Sequence, residues 1–380
     1  MKIYWFDKIN FNGVSETSRI EMVKELSKLG NDVKLISSNN IFNKSKVTLP
    51  QGISVKMLPN IEMKYIGKLT YYFSIFLYTL RLFFSKEVKY IIVQQHIAIS
   101  MLPISILSKI LFKKIFIITD IRSIPVETGG ELSQKKHQFS FWINMLVTKY
   151  LYNGVSIITV KTKELLFKQF NMGNLKYCIW GSAVNIKLFD PEKYNKEKNN
   201  DLIIGYHGVI SENRGVEKLL QSLDYIDNQN IKISILGRGP YFDEIKKIAS
   251  NKEYANRVIV YDSVAYDRVP EVISSFNVGI LPFPDLIWWD VSSPLKLYEY
   301  LSMEIPVIAT DISCHDILKG ERFGILINNN NPETIAKAIM EYFDKKESLV
   351  SLGKQARQFI VKNHTWEKRA KTMNKFLREL

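Results

Sequence analysis

The residues whose types and spacing could do chemistry concentrate in one segment of this chain, Ser292-Ser293-Pro294-Leu295-Lys296-Leu297-Tyr298-Glu299-Tyr300-Leu301. It lies beyond an apolar run of strand length, so residues 293–295 are expected to form the first turn of a helix. Pro294 suits the first helical position, because the N–H it lacks would be unpaired there anyway. The free N–H groups of such a turn, with the helix dipole, make an anion site suited to a diphosphate. Lys296 adds a positive point charge. Glu299 lies one turn on, able to accept hydrogen bonds from sugar hydroxyls. The competing account is an ordinary helix with a solvent-facing Glu. No two Asp residues stand two apart, so the sequence favours cations and helix N–H groups over a metal held by an Asp-x-Asp pair.

Such a turn needs a strand before it and a helix behind it, and the chain supplies that alternation twice. Lys2–Phe6 reads as a strand, and a short loop around Gly13 leads into a helix from about 15 to 29. Ile20, Val23, Leu26 and Leu29 recur there at the spacing of one helical face. Further strand-length runs fall at 33–36, 53–58, 90–94, 114–119 and 156–160, with helical pattern over 139–152. The segment 185–200 holds Asp190-Pro191 and a polar, Lys- and Asn-rich run, and reads as a linker. A second series follows, with strands expected at 202–206, 231–236, 257–261, 278–281, 305–309 and 324–327 and a last helix over about 366–380. Strands separated by helix-length segments imply right-handed βαβ units and parallel sheets. The expected fold is α/β: two Rossmann-like, doubly wound domains, 1–190 and 200–365. Their chemistry should lie in a cleft at the carboxyl ends of both sheets.

Composition narrows the classes. A chain that is 46% hydrophobic and 24% charged is neither disordered nor fibrous. Two cysteines, Cys178 and Cys314, exclude a disulfide framework, and no C-x-x-C pair suggests zinc or redox chemistry. No secretory signal opens the sequence, and the reducing cytosol fits best. Residues 1–195 hold 27 Lys/Arg against 13 Asp/Glu, whereas 196–380 hold 25 of each, so the whole excess of +14 lies in the first half. An anionic partner of the first domain would explain that asymmetry. Two stretches there, 71–84 and 97–112, are rich in aromatic and aliphatic residues and flanked by lysines. Both fall short of the ~18–20 uninterrupted apolar residues of a spanning helix. They are either buried crossover helices or helices that lie in a membrane surface.

The segment Ser-Pro-Leu-Lys-Leu-Tyr-Glu-Tyr-Leu, with Pro306-Val307-Ile308-Ala309 after it, resembles the donor-binding helix of family 4 glycosyltransferases, which have the GT-B fold. Other segments agree in order. Gly205-Tyr206-His207-Gly208 followed by Asn213-Arg214-Gly215-Val216 is similar to the opening of the family's second domain. Ile235-Leu236-Gly237-Arg238-Gly239-Pro240 resembles its Gly-x-Gly-Pro turn, and Val278-Gly279-Ile280-Leu281-Pro282 the strand before the donor loop. Asn12-Gly13-Val14-Ser15-Glu16-Thr17 is similar to the Gly loop of the first domain, and His364-Thr365-Trp366-Glu367 to the start of the final helix, which in the family crosses back to that domain. Two positions depart. Val291 stands where the family often has a first Glu, with Asp290 adjacent, and Val209 stands where an Arg usually follows the Gly. A subtype with a Ser-Pro-Leu-Lys loop and no first Glu matches this pattern.

The resemblance implies a retaining, metal-independent transfer of a hexosyl or N-acetylhexosaminyl group from a nucleoside diphosphate sugar, with no cofactor. The implied leaving-group cations are Arg214 and Lys296, aided by the backbone N–H groups of Ser292, Ser293 and Leu295 in the turn that Pro294 shapes, with Glu299 on the donor. Gly13 and Gly208 would let backbone approach the diphosphate, and Gly237-Arg238-Gly239 would let the nucleobase or ribose lie against bare backbone. On the acceptor side, Asp120 could position a hydroxyl or take its proton and Arg122 could bind phosphate. An Asp–Arg pair that merely holds the loop is the alternative, and His96 is a further, lesser candidate. The basic first half suits a lipid-linked or cell-surface glycan acceptor at the cytoplasmic face of the membrane. Val209 and Val291 also suit a catalytically weak, donor-binding subunit of a membrane complex. Nucleic-acid binding would lack a recognition motif, and the Lys296–Glu299 helix pattern speaks against a hydrolysing sugar-nucleotide epimerase.

Overall fold

The computed structural model describes residues 1–8, 17–40, 51–61, 66–85, 87–124, 131–194, 200–321 and 323–380, the side chains of 131–137 and 321 excepted. It divides into two compact units, Met1–Gly181 with Trp366–Leu380, and Ser182–Thr365. In the first, β1 (Lys2–Phe6), β2 (Asp32–Asn40), β3 (Ser54–Asn60), β4 (Lys89–Gln94), β5 (Ile115–Ile121), β6 (Gly154–Ile157) and β7 (Lys176–Ile179) form a sheet in the order β3-β2-β1-β4-β5-β6-β7. Every pairing is parallel. Helices cover both faces of such a sheet, which is why β4 can carry the continuous run Ile91-Ile92-Val93, fully buried.

The second unit repeats the plan. β8 (Leu202–His207), β9 (Ile231–Leu236), β10 (Val258–Tyr261), β11 (Val278–Leu281), β12 (Val307–Thr310) and β13 (Gly324–Ile327) pair in parallel in the order β10-β9-β8-β11-β12-β13. The order reverses direction between β8 and β11, and a doubly wound sheet opens its crevice at such a switch point, beyond the carboxyl ends of the strands. Leu202, Ile204 and Tyr206 of β8 are fully buried and anchor one core. The helix Leu295–Ser302 buries Leu297, Tyr300 and Leu301 in a second.

The segment read as a linker from 185 begins instead as part of the second unit. Phe189 is fully buried, and Arg357 holds its carbonyl at 3.0 Å and the Asp190 carboxylate at 2.9 Å. An apolar anchor and a half-buried cation outweigh the turn-like composition of that stretch. The last helix, Trp366–Arg378, packs on the first unit, where Asn31 donates to Asn374 at 3.0 Å.

Two further expectations change. Strand β5 runs on to Ile121, so Asp120 lies within the sheet rather than in the loop beyond it. The apolar stretch over 71–84 forms the helix Gly67–Phe83, which is neither fully buried nor long and apolar enough to cross a membrane. Tyr71, Ile75, Thr79 and Phe83, four apart, face the core. The opposite face shows Leu69, Phe73 and Leu77 at 71, 61 and 50% exposure.

Candidate active site

Beyond β8 and β11 the chain gathers charged and polar side chains that are out of water. Glu299, one turn into the helix Leu295–Ser302, is 2% exposed. It accepts a 2.8 Å hydrogen bond from the Tyr266 hydroxyl and faces His207 Nε2 at 3.3 Å. Burial pushes its carboxyl up to about 7, against the opposing pull of the Tyr266 bond and of Lys296. Burial, and then the charge of Lys296, hold His207 well below its ordinary value, so its imidazole is neutral near pH 7. His207 sits at the end of β8, where its N–H donates to the Tyr300 hydroxyl at 2.8 Å.

Lys296 is 8% exposed, and its Nζ has no hydrogen-bond partner among the described residues. It stands 4.1 Å above the Tyr206 ring and 5.6 Å from that of Phe283. Burial first, and then the charge of Arg214, push its pKa well below the usual lysine range. Arg214 ends a short 3-10 turn, bonds the Tyr206 hydroxyl, and stacks 4.7 Å from the Trp289 ring and 5.9 Å from that of Phe283. Neither cation forms an ion pair among the described residues. Thr310 Oγ1, at the end of β12, and His315 Nε2, just past it, are likewise buried without a partner, and the His315 ring lies 5.5 Å from Phe283. Buried polar atoms are nearly always paired in a finished structure. Lys296 Nζ and the Thr310 hydroxyl are unpaired donors at a sheet's switch point, which an anionic ligand would satisfy, whereas the neutral His315 spends its Nδ1–H on the Thr310 carbonyl at 2.7 Å and offers Nε2 as an acceptor.

The loop ahead of the helix is fixed from outside. Ser182 donates its N–H to Ser293 Oγ at 2.8 Å and its hydroxyl to the Ser293 carbonyl at 2.5 Å. Pro294 is the residue preceding the helix (φ −72°, ψ 120°), not its first member, so only Leu295 of the three expected turn residues is helical. With ψ extended at Pro294, the chain bends there and Ser293 is free to reach Ser182. Asp290, next to Val291, is engaged by the turn after β12. Its Oδ1 accepts from the Ser313 N–H at 2.7 Å, while Val291 is buried at 3%.

The Gly237 turn differs from expectation. A Cβ on Gly237 would lie 1.8 Å from the Gly208 carbonyl oxygen, and one on Gly239 2.2 Å from that of Ile210. The bare backbone is occupied by the neighbouring loop, with which it pairs through Gly208 N–H to Leu236 O at 2.8 Å and Ile210 N–H to Arg238 O at 3.1 Å. Gly208 (φ +118°) in turn leaves room for Lys296, whose Nζ lies 2.8 Å from where a Cβ would stand. Arg238 is exposed and pairs with Asp262.

In the first unit Asp120 is fully buried, accepts from Ser156 Oγ at 2.6 Å and lies 3.9 Å from Arg19, which also pairs with Asp7. Arg122 does not pair with it. Its guanidinium stacks 3.8 Å from the Trp180 ring and donates to the Trp180 carbonyl at 2.7 Å, and burial lowers its pKa to about 10. His96 lies exposed in the turn Gln95–Met101. The Gly13 loop lies outside the described residues. The sequence alone did not point to Tyr266, Trp289 or Ser182, because nothing in their neighbourhoods shows what they reach. His207 was visible in its Gly-flanked motif but carried no role.

Residues 189–359 match the family described as glycosyl transferases group 1. An uncharacterized glycosyltransferase of Methanocaldococcus jannaschii is 23% identical over 293 residues, 72% of this chain and 71% of that protein. The capsular polysaccharide biosynthesis glycosyltransferase CapM of Staphylococcus aureus is 24% identical over 197 residues, half of each chain. Among solved structures, Anabaena HepE in complex with UDP superposes with a TM-score of 0.75 at 13% identity, over 100% of both chains. Residues 189–359 therefore form a group 1 glycosyltransferase domain, and the chain is a glycosyltransferase of the GT-B fold.

Proposed function

We propose that the chain is a family 4 enzyme that moves a hexosyl or N-acetylhexosaminyl group from a UDP-sugar to a lipid-linked or cell-surface glycan acceptor, with retention of configuration and without a metal. The observation that carries this reading is Lys296: a buried ammonium with no partner among the described residues, beside Arg214 at the switch point of a parallel sheet. As the anomeric C–O bond breaks, negative charge collects on the leaving diphosphate, and fixed cations in a dry site stabilise it. The acceptor oxygen forms its bond to the anomeric carbon on the face that the diphosphate leaves, and its proton passes to a phosphate oxygen. Glu299, in its Tyr266 and His207 setting, binds hydroxyls of the donor. UDP is favoured because HepE was solved with it, and a surface-glycan acceptor because of what CapM is named for. In thermal-shift assays with EDTA present, a UDP-sugar should raise the melting temperature more than GDP-, ADP- or TDP-sugars. A response that needs added Mn²⁺ would remove the metal-free part of the reading. No shift with any donor would remove the donor site.

A peripheral place on the inner face of the cell membrane is supported by the helix Gly67–Phe83. Its outward face carries Leu69, Phe73 and Leu77, with Lys68 beside them. The loop after the helix Leu102–Ile110 adds Leu111 and Phe112, 53 and 93% exposed, followed by the exposed Lys113 and Lys114. Exposed apolar side chains beside lysines suit an anionic bilayer. The protein should sediment with phosphatidylglycerol vesicles, less so at high salt, and the double change Leu69→Ser, Phe73→Ser should abolish it. Equal sedimentation with neutral vesicles would refute the electrostatic part.

A further inference from the structure

Arg214 and Lys296 are held in an unusual way. A buried or half-buried cation is ordinarily placed by a carboxylate, which also neutralises it. Here the placing is done by aromatic faces. Phe283 and Trp289 stack on one another, ring centres 4.4 Å apart and 21° from parallel. Arg214 lies 4.7 Å from Trp289, and Lys296 lies 5.6 Å from Phe283. The Trp289 indole N–H donates to the Asn213 carbonyl at 3.0 Å, tying the platform to the turn Glu212–Arg214 that carries the arginine. The platform is itself anchored, since Asp290 next to Trp289 accepts from the Ser313 N–H.

We propose that Trp289, stacked on Phe283, is a positioning residue that sets Arg214 for the diphosphate while leaving its charge unspent. A ring face attracts a cation through its quadrupole and cancels none of its charge. No carboxylate among the described residues pairs directly with either cation, and a group with two negative charges is the ligand that relieves them. This inference rests on the diphosphate site described above and adds a residue to it that touches neither substrate nor reacting atoms.

The test compares UDP with uridine, binding being measured by calorimetry on the full chain. Trp289→Leu should weaken UDP about tenfold and leave uridine within twofold, because only the phosphate-facing cation is displaced. Trp289→Phe, which keeps a face but loses the N–H, should restore most of the loss. The kcat for transfer should fall at least as far as UDP affinity, since charge on the leaving group is greatest in the transition state. Equal weakening of UDP and uridine would mean that Trp289 merely holds the fold and would overturn the proposal, as would a Leu variant that binds UDP like the parent. Arg214→Ala separates the two levels of inference. If the parent binds UDP and Arg214→Ala weakens it while Trp289→Leu does not, the platform fails and the site stands. If the parent binds no UDP, the choice of uracil fails, and if it binds no nucleoside diphosphate at all, the site itself fails.

Discussion

Lys296→Met should lower kcat/KM for sugar transfer by on the order of 10²–10³ and at the same time raise the melting temperature. The two effects have one cause. The ammonium is buried among Tyr206, Phe283 and the helix that carries it, and its Nζ has no partner among the described residues. Keeping a charge there costs folding free energy, which is why burial, reinforced by Arg214, drives its pKa down. Methionine fills the same space with nothing to desolvate, so the fold gains. The reaction loses the cation that meets the charge growing on the diphosphate, and kcat should fall further than donor affinity. Steady-state kinetics and calorimetry on the same preparation read both. A fall in melting temperature together with activity would mean a structural lysine. A rate change below threefold would move the leaving-group role elsewhere.

Glu299→Ala should reduce kcat/KM about 10- to 100-fold, the loss associated with a hydrogen bond to a charged group. Its companion, Glu299→Gln, isolates the titration. With the carboxyl raised to about 7 in the folded protein, the native state keeps a proton that the unfolded chain has released from roughly pH 4.5 upward. Stability from this group is therefore greatest below that range and falls as pH rises toward 7, by at most ~3 kcal/mol. His207 and His315 act in the opposite sense. Both are depressed by burial, His315 to about 4, so the folded protein loses stability as pH falls below ~6.5, where the unfolded chain's histidines take up protons. Urea unfolding of parent and Gln variant at pH 5 and pH 8 removes the histidine contribution by subtraction. The variant should lose less stability between those pH values. Parallel losses would show that Glu299 ionises normally.

Much of this arrangement was legible in the residue order, for identifiable reasons. Periodicity and breakers locate strands and helices because parallel strands buried on both faces must be nearly all apolar, as Ile91-Ile92-Val93 is. The short segment carrying Lys296 and Glu299 is local: one turn of helix sets their spacing, and the position after a strand sets their direction. What stayed hidden is tertiary. Tyr266 lies in a short turn ahead of β11 and finds Glu299 only once β10 and the helix Leu295–Ser302 are both in place. Ser182 is far in sequence from Ser293, and no spacing argument links them. Asp120 misled because the carboxyl end of a strand usually faces a crevice, whereas here Ser156 and Arg19 enclose it. Gly237 misled for a related reason. A residue without a side chain shows that something comes close, and it does not say whether that is a ligand or the chain itself.

The pairing of the Gly208 and Gly237 loops has a consequence for how freely this protein can diverge. Much of that floor is laid by amide and carbonyl groups, which every residue type supplies alike, so substitutions along it leave its outline in place wherever a side chain can point away. The exceptions are spots where even a methyl group would strike oxygen, and Gly237 and Gly239 are two of them. A surface built in this fashion can drift widely in letters while holding its contour, provided those few gaps in the side-chain pattern are kept.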